Sequence, residues 1–219
     1  MEENEKQKVI RIKHDSFEQG SGSWHQFRQK RIGGSDAPII SGQSPWKSSL
    51  NLWAEKCGSI EQPDLSQNFA VQRGVRLEPI VRGMVSIMLD MNFDPAVFTH
   101  TEKEYLSASL DGWDEENQAM IEIKVGNAPD HKKCNPEDPK SIPKKYFAQI
   151  QHQLYVVKPK RAFYCSYWIE KGKDEDRGDL KIVEVFPDEE FISRYLPIAE
   201  EFYQCVINNT PPRAVKLEL

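Results

Sequence analysis

At 219 residues the chain has room for one domain with a sizeable core. Its composition, 38% hydrophobic and 29% charged, is that of a globular protein in water, and no run approaches the roughly 20 apolar residues of a membrane span. A net charge of −5 argues against a general nucleic-acid coat protein, while leaving room for a basic groove inside an acidic exterior.

Residues 1–20 are polar and are expected to be loosely held. The opening MEENEKQKVIRIKHD has no apolar signal region, so a cytoplasmic protein is expected. SWHQFRQKR reads as a short helix capped by Ser23, and IGGSDAPII as a glycine pair followed by a second short helix with Ser35 as its cap. SSLNLWAEKCG reads as a helix stopped by Gly58. Asn68 to Asp90 has helical periodicity and offers Val75, Ile80, Val81, Met84, Val85 and Met88 to a core. Pro79 lies inside that stretch, so either the helix kinks or a new one starts there.

Strands are expected at Ala96–Thr101, Glu104–Leu110 and Ala119–Val125, with DGWDEENQ as the loop of a hairpin. Gly126 to Pro143 is a polar loop punctuated by prolines, long enough to suggest a function. KKYFAQIQHQLYVV is a helix, RAFYCSYWIE and DLKIVEVF are strands, and Asp188 to Asn208 closes the chain as an amphipathic helix. This order predicts an α/β (α+β) fold: a central mixed sheet flanked by helices, in a single domain over 1–219.

The cysteines, Cys57, Cys134, Cys165 and Cys205, form no CxxC and are expected as free thiols. His131 and Cys134 have a ligand-like spacing with no second pair, which argues against zinc. His25, His131 and His152 lack the setting of a general base.

The chemistry concentrates in SLDG and IEIK. If the chain turns after Asp111 and returns as a strand, Asp111 and Glu122 lie near each other, and Glu122 and Lys124 share a face by the period of two. Two carboxylates suit a hard cation such as magnesium. An adjacent lysine suits the orienting of a metal-bound water or charge stabilisation on a phosphoryl group, and together these form a set for phosphodiester hydrolysis. The alternative is an ordinary strand with opposite charges on its wet face.

The pattern D(x10)ExK resembles the PD-(D/E)xK nuclease core, a restriction-endonuclease-like fold. With SWHQFRQKRIGGSDAP, RGVRLEP and YFAQIQHQLYV in the expected order, residues 23–170 resemble the lambda-exonuclease family of viral-type recombination nucleases, YqaJ-like proteins among them. Leu110 departs from it, where the family often has proline.

The resemblance implies a magnesium-dependent 5′-to-3′ exonuclease, with manganese as a substitute, acting on linear duplex DNA. It would release mononucleotides and leave a 3′ strand for a single-strand annealing protein. It also implies a ring-shaped homotrimer and a phage or prophage origin. Asp111 and Glu122 match the metal-binding carboxylates, the Ile123 carbonyl a further metal ligand, Lys124 the catalytic lysine and Glu78 the helical glutamate. Arg28, Ser35, Ser109 and Gln149 match a pocket for the 5′ phosphate.

Each of these has a plainer reading. Glu78 is equally an exposed helix carboxylate, Arg28 a surface charge and Ser35 a cap. Gln151 falls within the apolar face set by Phe147, Ile150 and Leu154; buried there it needs partners, and it is expected to find them by supporting the metal site from behind. Trp24 is either a helix-packing residue or a stacking surface for a terminal base. Trp46, Trp53, Trp113 and Trp168 are read as structural, with a place near DNA as the alternative for Trp113 in the hairpin loop after Asp111. Lys132, Lys133, Lys144 and Lys145 either track phosphates or line a solvated loop. Two rival functions stay open: an endonuclease of the same core, and a non-catalytic protein that binds DNA ends.

Overall fold

A computed structural model describes residues 11–15, 17, 19–170, 172–175 and 177–218. Six strands form a mixed sheet in chain order: β1 (Arg11–Lys13), β2 (Asp94–His100), β3 (Ser107–Asp114), β4 (Ala119–Val125), β5 (Arg161–Trp168) and β6 (Asp179–Glu184). All neighbours are antiparallel except β4 and β5. The helices are α1 (Gly22–Gln29), α2 (Ala37–Ile40), α3 (Ser49–Lys56), α4 (Phe69–Leu89), α5 (Ala128–Lys133), α6 (Lys144–Val157) and α7 (Glu189–Ile207). The parallel β4–β5 pair needs a crossover, and α5 and α6 supply it.

Each face of the sheet has its own core. One side joins Leu106, Leu110, Met120, Ile150, Leu154, Tyr164 and Tyr195, under α2, α6 and α7. The other joins Val81 and Val85 of α4 to Ile121, Ile123, Phe163 and Tyr167. A strand covered on both faces reads as a continuous apolar run, and β5 does so: Ala162 to Tyr167 are all buried.

Several expectations change. The polar N-terminal segment contributes β1, which pairs with β2, and Arg11 donates to the Val157 carbonyl at 2.6 Å; residues 1–10 of that segment lie outside the described residues. The cap of α1 is Ser21, whose hydroxyl accepts the Trp24 N–H, so Ser23 lies inside the helix. Ser35 is no helix cap: it sits in a single 3₁₀ turn, Gly34–Asp36, that runs into α2.

Pro79 starts no new helix. It lies within α4, which runs unbroken from its Asn68 cap. Of the residues offered to the core there, Val81 and Val85 are buried and Met84 packs against them. Val75 and Met88 are 70% and 63% exposed, and Ile80 is exposed too; the helix meets the sheet along one narrow stripe. Strand β3 extends to Asp114, so Trp113 lies in a strand and not in the hairpin loop; it is structural, as expected, buried edge-on against Phe98. The long polar loop holds α5 and a 3₁₀ turn, Pro139–Ser141.

Candidate active site

The site forms where β3 and β4 part. Their pairing runs from Asp114↔Ala119 to Gly112↔Ile121 and stops there. Gly112 permits a close approach: a Cβ on it would stand 2.7 Å from Ile121 Cγ1 and 2.8 Å from Phe93 Cβ. One residue earlier, the Asp111 carboxylate takes over the role of a ladder carbonyl and accepts the Ile123 N–H at 2.7 Å. The two strands are thereby held apart with Asp111 and Glu122 between them.

Glu122 is 1% exposed, and its carboxylate is fully engaged. One oxygen accepts from Lys124 and from the Gln149 side chain. The other accepts from the Gln153 amide at 2.6 Å. Asp111 has the Ile123 N–H in place of side-chain donors. Loss of water around it, together with repulsion from Glu122, pushes its carboxyl well above the usual range, against the pull of Lys124. Burial opposes the charge on Lys124, but Glu122 and Asp111 outweigh it, so the ammonium is held charged far above its ordinary range.

Glu78 reaches the same electrostatic neighbourhood from α4. Burial raises its carboxyl, Arg82 lowers it, and Glu122 and Lys124 both act on it. Arg82 is its partner at 3.0 Å and also donates to the Asp111 carbonyl at 2.6 Å, so α4 is clamped onto β3 beside the site. With Glu78 held by Arg82, no group of three acidic, histidine or cysteine side chains stands ready to hold a metal ion among the described residues.

The donor chemistry nonetheless fits a hard divalent cation. Asp111 and Glu122 are adjacent oxygen donors, and the raised Asp111 carboxyl marks a place short of positive charge. The Ile123 peptide stands at the same splay.

A cleft of about 150 Å³ joins these groups to the N-terminal ones: Trp24, Arg28, Ser35, Ser109, Asp111, Glu122, Lys124 and Gln149 all line it. Arg28 donates to the Ser35 hydroxyl, and its guanidinium lies 4.4 Å from the centre of the Trp24 ring. Trp24 Nε1 donates to the Ser109 hydroxyl at 3.0 Å. Trp24 is therefore a wall of the cleft, fixed at both its polar and its aromatic ends. Gly34 lets this wall come close to α6: a Cβ there would stand 3.1 Å from Gln153 Cγ and 3.4 Å from Gln149 Cγ.

Gln151 is not part of this arrangement. Its amide donates to the Phe186 carbonyl at 2.9 Å and its oxygen accepts the Asp188 N–H at 2.7 Å, which ties α6 to the start of α7. The expectation that it supports the metal site is corrected: a residue two positions from Gln149 lies on another side of the helix. Gln153, four positions on, takes that place, donating also to the Ser109 carbonyl at 3.2 Å. The i, i+4 spacing was the available signal for Gln153, and again for Arg82 after Glu78. Gln19, which donates to the Leu110 carbonyl at 2.8 Å and lines the cleft, carries no such signal.

His131 and Cys134 hold no metal-like grouping. His131 bridges Ser166 at 2.9 Å and Asp179 at 3.0 Å, and joins α5 to β5 and β6. All four cysteines are free. Of the lysines near the long loop, Lys145 pairs with Asp130 at 2.9 Å.

Comparison with known proteins agrees with this architecture. The chain is 20% identical to the alkaline exonuclease LHK-Exo of Laribacter hongkongensis, with a TM-score of 0.68 over 86% of this chain and 94% of that one. A second structure of that enzyme, in complex with dAMP, gives 0.69. A phage-related exonuclease from Haemophilus somnus 129PT gives 0.55 at 14% identity, over 82% of this chain and 96% of that one. These likenesses establish the fold. By sequence, the chain is 30% identical over 174 residues to YqaJ of Bacillus subtilis strain 168, covering 74% of this chain and 53% of that protein. It thus spans about half the length of that curated relative. A shorter stretch of 53 residues is 36% identical to protein D345L of African swine fever virus, over 24% of this chain and 15% of that protein. The YqaJ-like viral recombinase domain model matches residues 23–160, a span that contains every residue lining the cleft except Gln19, and the chain belongs to that family.

Proposed function

We propose that the protein is a metal-dependent nuclease that degrades linear duplex DNA from its 5′ ends. The observation that carries this reading is the single cleft in which Asp111, Glu122 and Lys124 meet Arg28, Ser35 and Gln149. It sets a hydrolytic group of residues beside donors suited to a terminal phosphate.

Asp111, Glu122 and the Ile123 carbonyl would hold a magnesium ion, with manganese as a substitute, and Glu78 would join them on release from Arg82. Such an ion supplies Lewis-acid polarisation of a phosphodiester. Lys124, whose charge Glu122 and Asp111 favour, would offer its ammonium to charge developing on the phosphoryl oxygens. Arg28 brings a forked cation for the terminal phosphate, and the Ser35 and Ser109 hydroxyls and the Gln149 amide supply neutral hydrogen bonds. Trp24 presents an aromatic face beside the guanidinium, suited to a terminal base. A 3′ single strand left by this reaction would pass to an annealing protein, and a ring-shaped homotrimer would enclose the duplex.

Lys124→Ala tests the chemistry. It should reduce cleavage by roughly a hundred-fold or more, the scale of losing one transition-state donor, while DNA binding in the presence of chelator is retained. Cleavage within a few-fold of wild type would reject the role of the lysine.

A further inference from the structure

Two of the segments that build the pocket, α1 and the turn after it, are tied together by a buried ion pair behind it. Arg28 and Trp24 lie on α1, and Ser35 on the 3₁₀ turn after it. Lys56, the last residue of α3, lines none of the cleft, and its side chain is 7% exposed. Its ammonium donates to the Arg31 carbonyl at 2.6 Å and to the Arg28 carbonyl at 3.3 Å, and it pairs with Asp36 at 2.9 Å. The same Asp36 oxygen accepts the Gly33 N–H at 2.9 Å. One cation thus caps the C-terminal end of α1, where a positive charge is favoured. Through Asp36 it also grips the turn that carries Ser35.

The pair is costly to place there, because two charges must leave water. Apolar residues of the same size would fill the space, but they would leave the Arg28 and Arg31 carbonyls and the Gly33 N–H without these partners. What the ion pair adds over an apolar plug is a defined distance between α1 and the turn, which is the distance between the Arg28 guanidinium and the Ser35 hydroxyl.

We infer that Lys56 and Asp36 are positioning residues that set recognition of a phosphorylated 5′ end by holding Arg28 and Ser35 in register. This rests on reading the Arg28–Ser35 pocket as the phosphate site. Neither residue touches the substrate. Their contribution is to the difference between phosphorylated and hydroxyl ends, and to apparent KM on the former more than to kcat.

The test compares cleavage of linear duplexes bearing 5′-phosphate or 5′-hydroxyl ends. It uses wild type, Arg28→Ala and the double variant Asp36→Asn/Lys56→Met. Removing both charges together avoids the unpaired buried charge that a single removal leaves, so the double variant should keep its fold, which melting checks. Lys56→Arg, which keeps the charge but changes its reach, is the second variant should the first not fold. End binding is read separately, in chelator, by competition with the two duplexes.

The double variant is expected to lose about tenfold of the preference for phosphorylated ends, as the loss of one or two well-placed hydrogen bonds would give. The loss should appear in apparent KM and in binding, and Lys56→Arg should give a smaller one. Loss of preference in Arg28→Ala, with wild-type preference in the double variant or in Lys56→Arg, overturns the inference and leaves the pocket reading intact. An equal fall on both ends overturns it as well. No preference in the wild type itself overturns the pocket reading, and the inference with it.

Discussion

Glu122 is held in part by a side chain that does not line the cleft. Both of its oxygens are occupied, and Gln153 alone holds the second one. Gln153 also bonds the Ser109 carbonyl, so one amide links α6, β3 and β4 at the splay. Its own oxygen has no hydrogen-bond partner among the described residues. Gln153→Leu, similar in size, removes the donor from a buried carboxylate. It should lower stability by about 1–3 kcal/mol and cut cleavage more than Gln151→Leu does. Denaturant melts and rates on linear duplex check both; equal effects of the two substitutions on rate would contradict the assignment. At this scale the sequence was informative wherever chemistry repeats a spacing. Asp111, Glu122 and Lys124 were legible because a strand's period of two and a short return bring them together. The apolar periodicity of α6 hides Gln153, because the helix is buried on more than one side.

Among the elements, α6 was legible to the residue and α7 to its caps, since each begins and ends at clear signals. Strand β1 was not, because three residues of a polar segment carry no pattern, and only pairing with β2 makes them a strand. Nor was the unbroken course of α4, since Pro79 signals a break that tertiary packing of Leu77, Val81 and Val85 overrides.

Helix α6 also carries a titratable anchor. His152 is buried between the Tyr195 hydroxyl and the Ser107 carbonyl, each at 2.9 Å. Burial pushes its imidazole down from 6.5 to about 4. The unfolded chain therefore takes up this proton first. The stabilising effect is complete above about pH 6.5, is lost as pH falls toward 4, and amounts to roughly 3 kcal/mol. Melting temperature should fall through that window more steeply in wild type than in His152→Gln. Parallel pH profiles would show that the anchor is not the titrating group.

For the whole molecule, the mixed sheet explains how one cleft gathers the residues proposed for chemistry and those proposed for end recognition. The crossover between β4 and β5 sends α6 back across the sheet, so Gln149 and Gln153 both donate to the Glu122 carboxylate. The N-terminal segments close the other side through Trp24 and Arg28. No composition or periodicity reports that closure; the sequence showed it only through the family resemblance of SWHQFRQKRIGGSDAP. An end-recognising cleft predicts a substrate with ends, which separates this reading from an endonuclease of the same fold.

The most direct test incubates the protein with linear duplex DNA labelled separately at each 5′ and 3′ end, and with closed circular DNA, in magnesium and in chelator. The account predicts magnesium-dependent release of the 5′ label first, with circles intact. Cut circles, first release of the 3′ label, or no cleavage under either magnesium or manganese would contradict it.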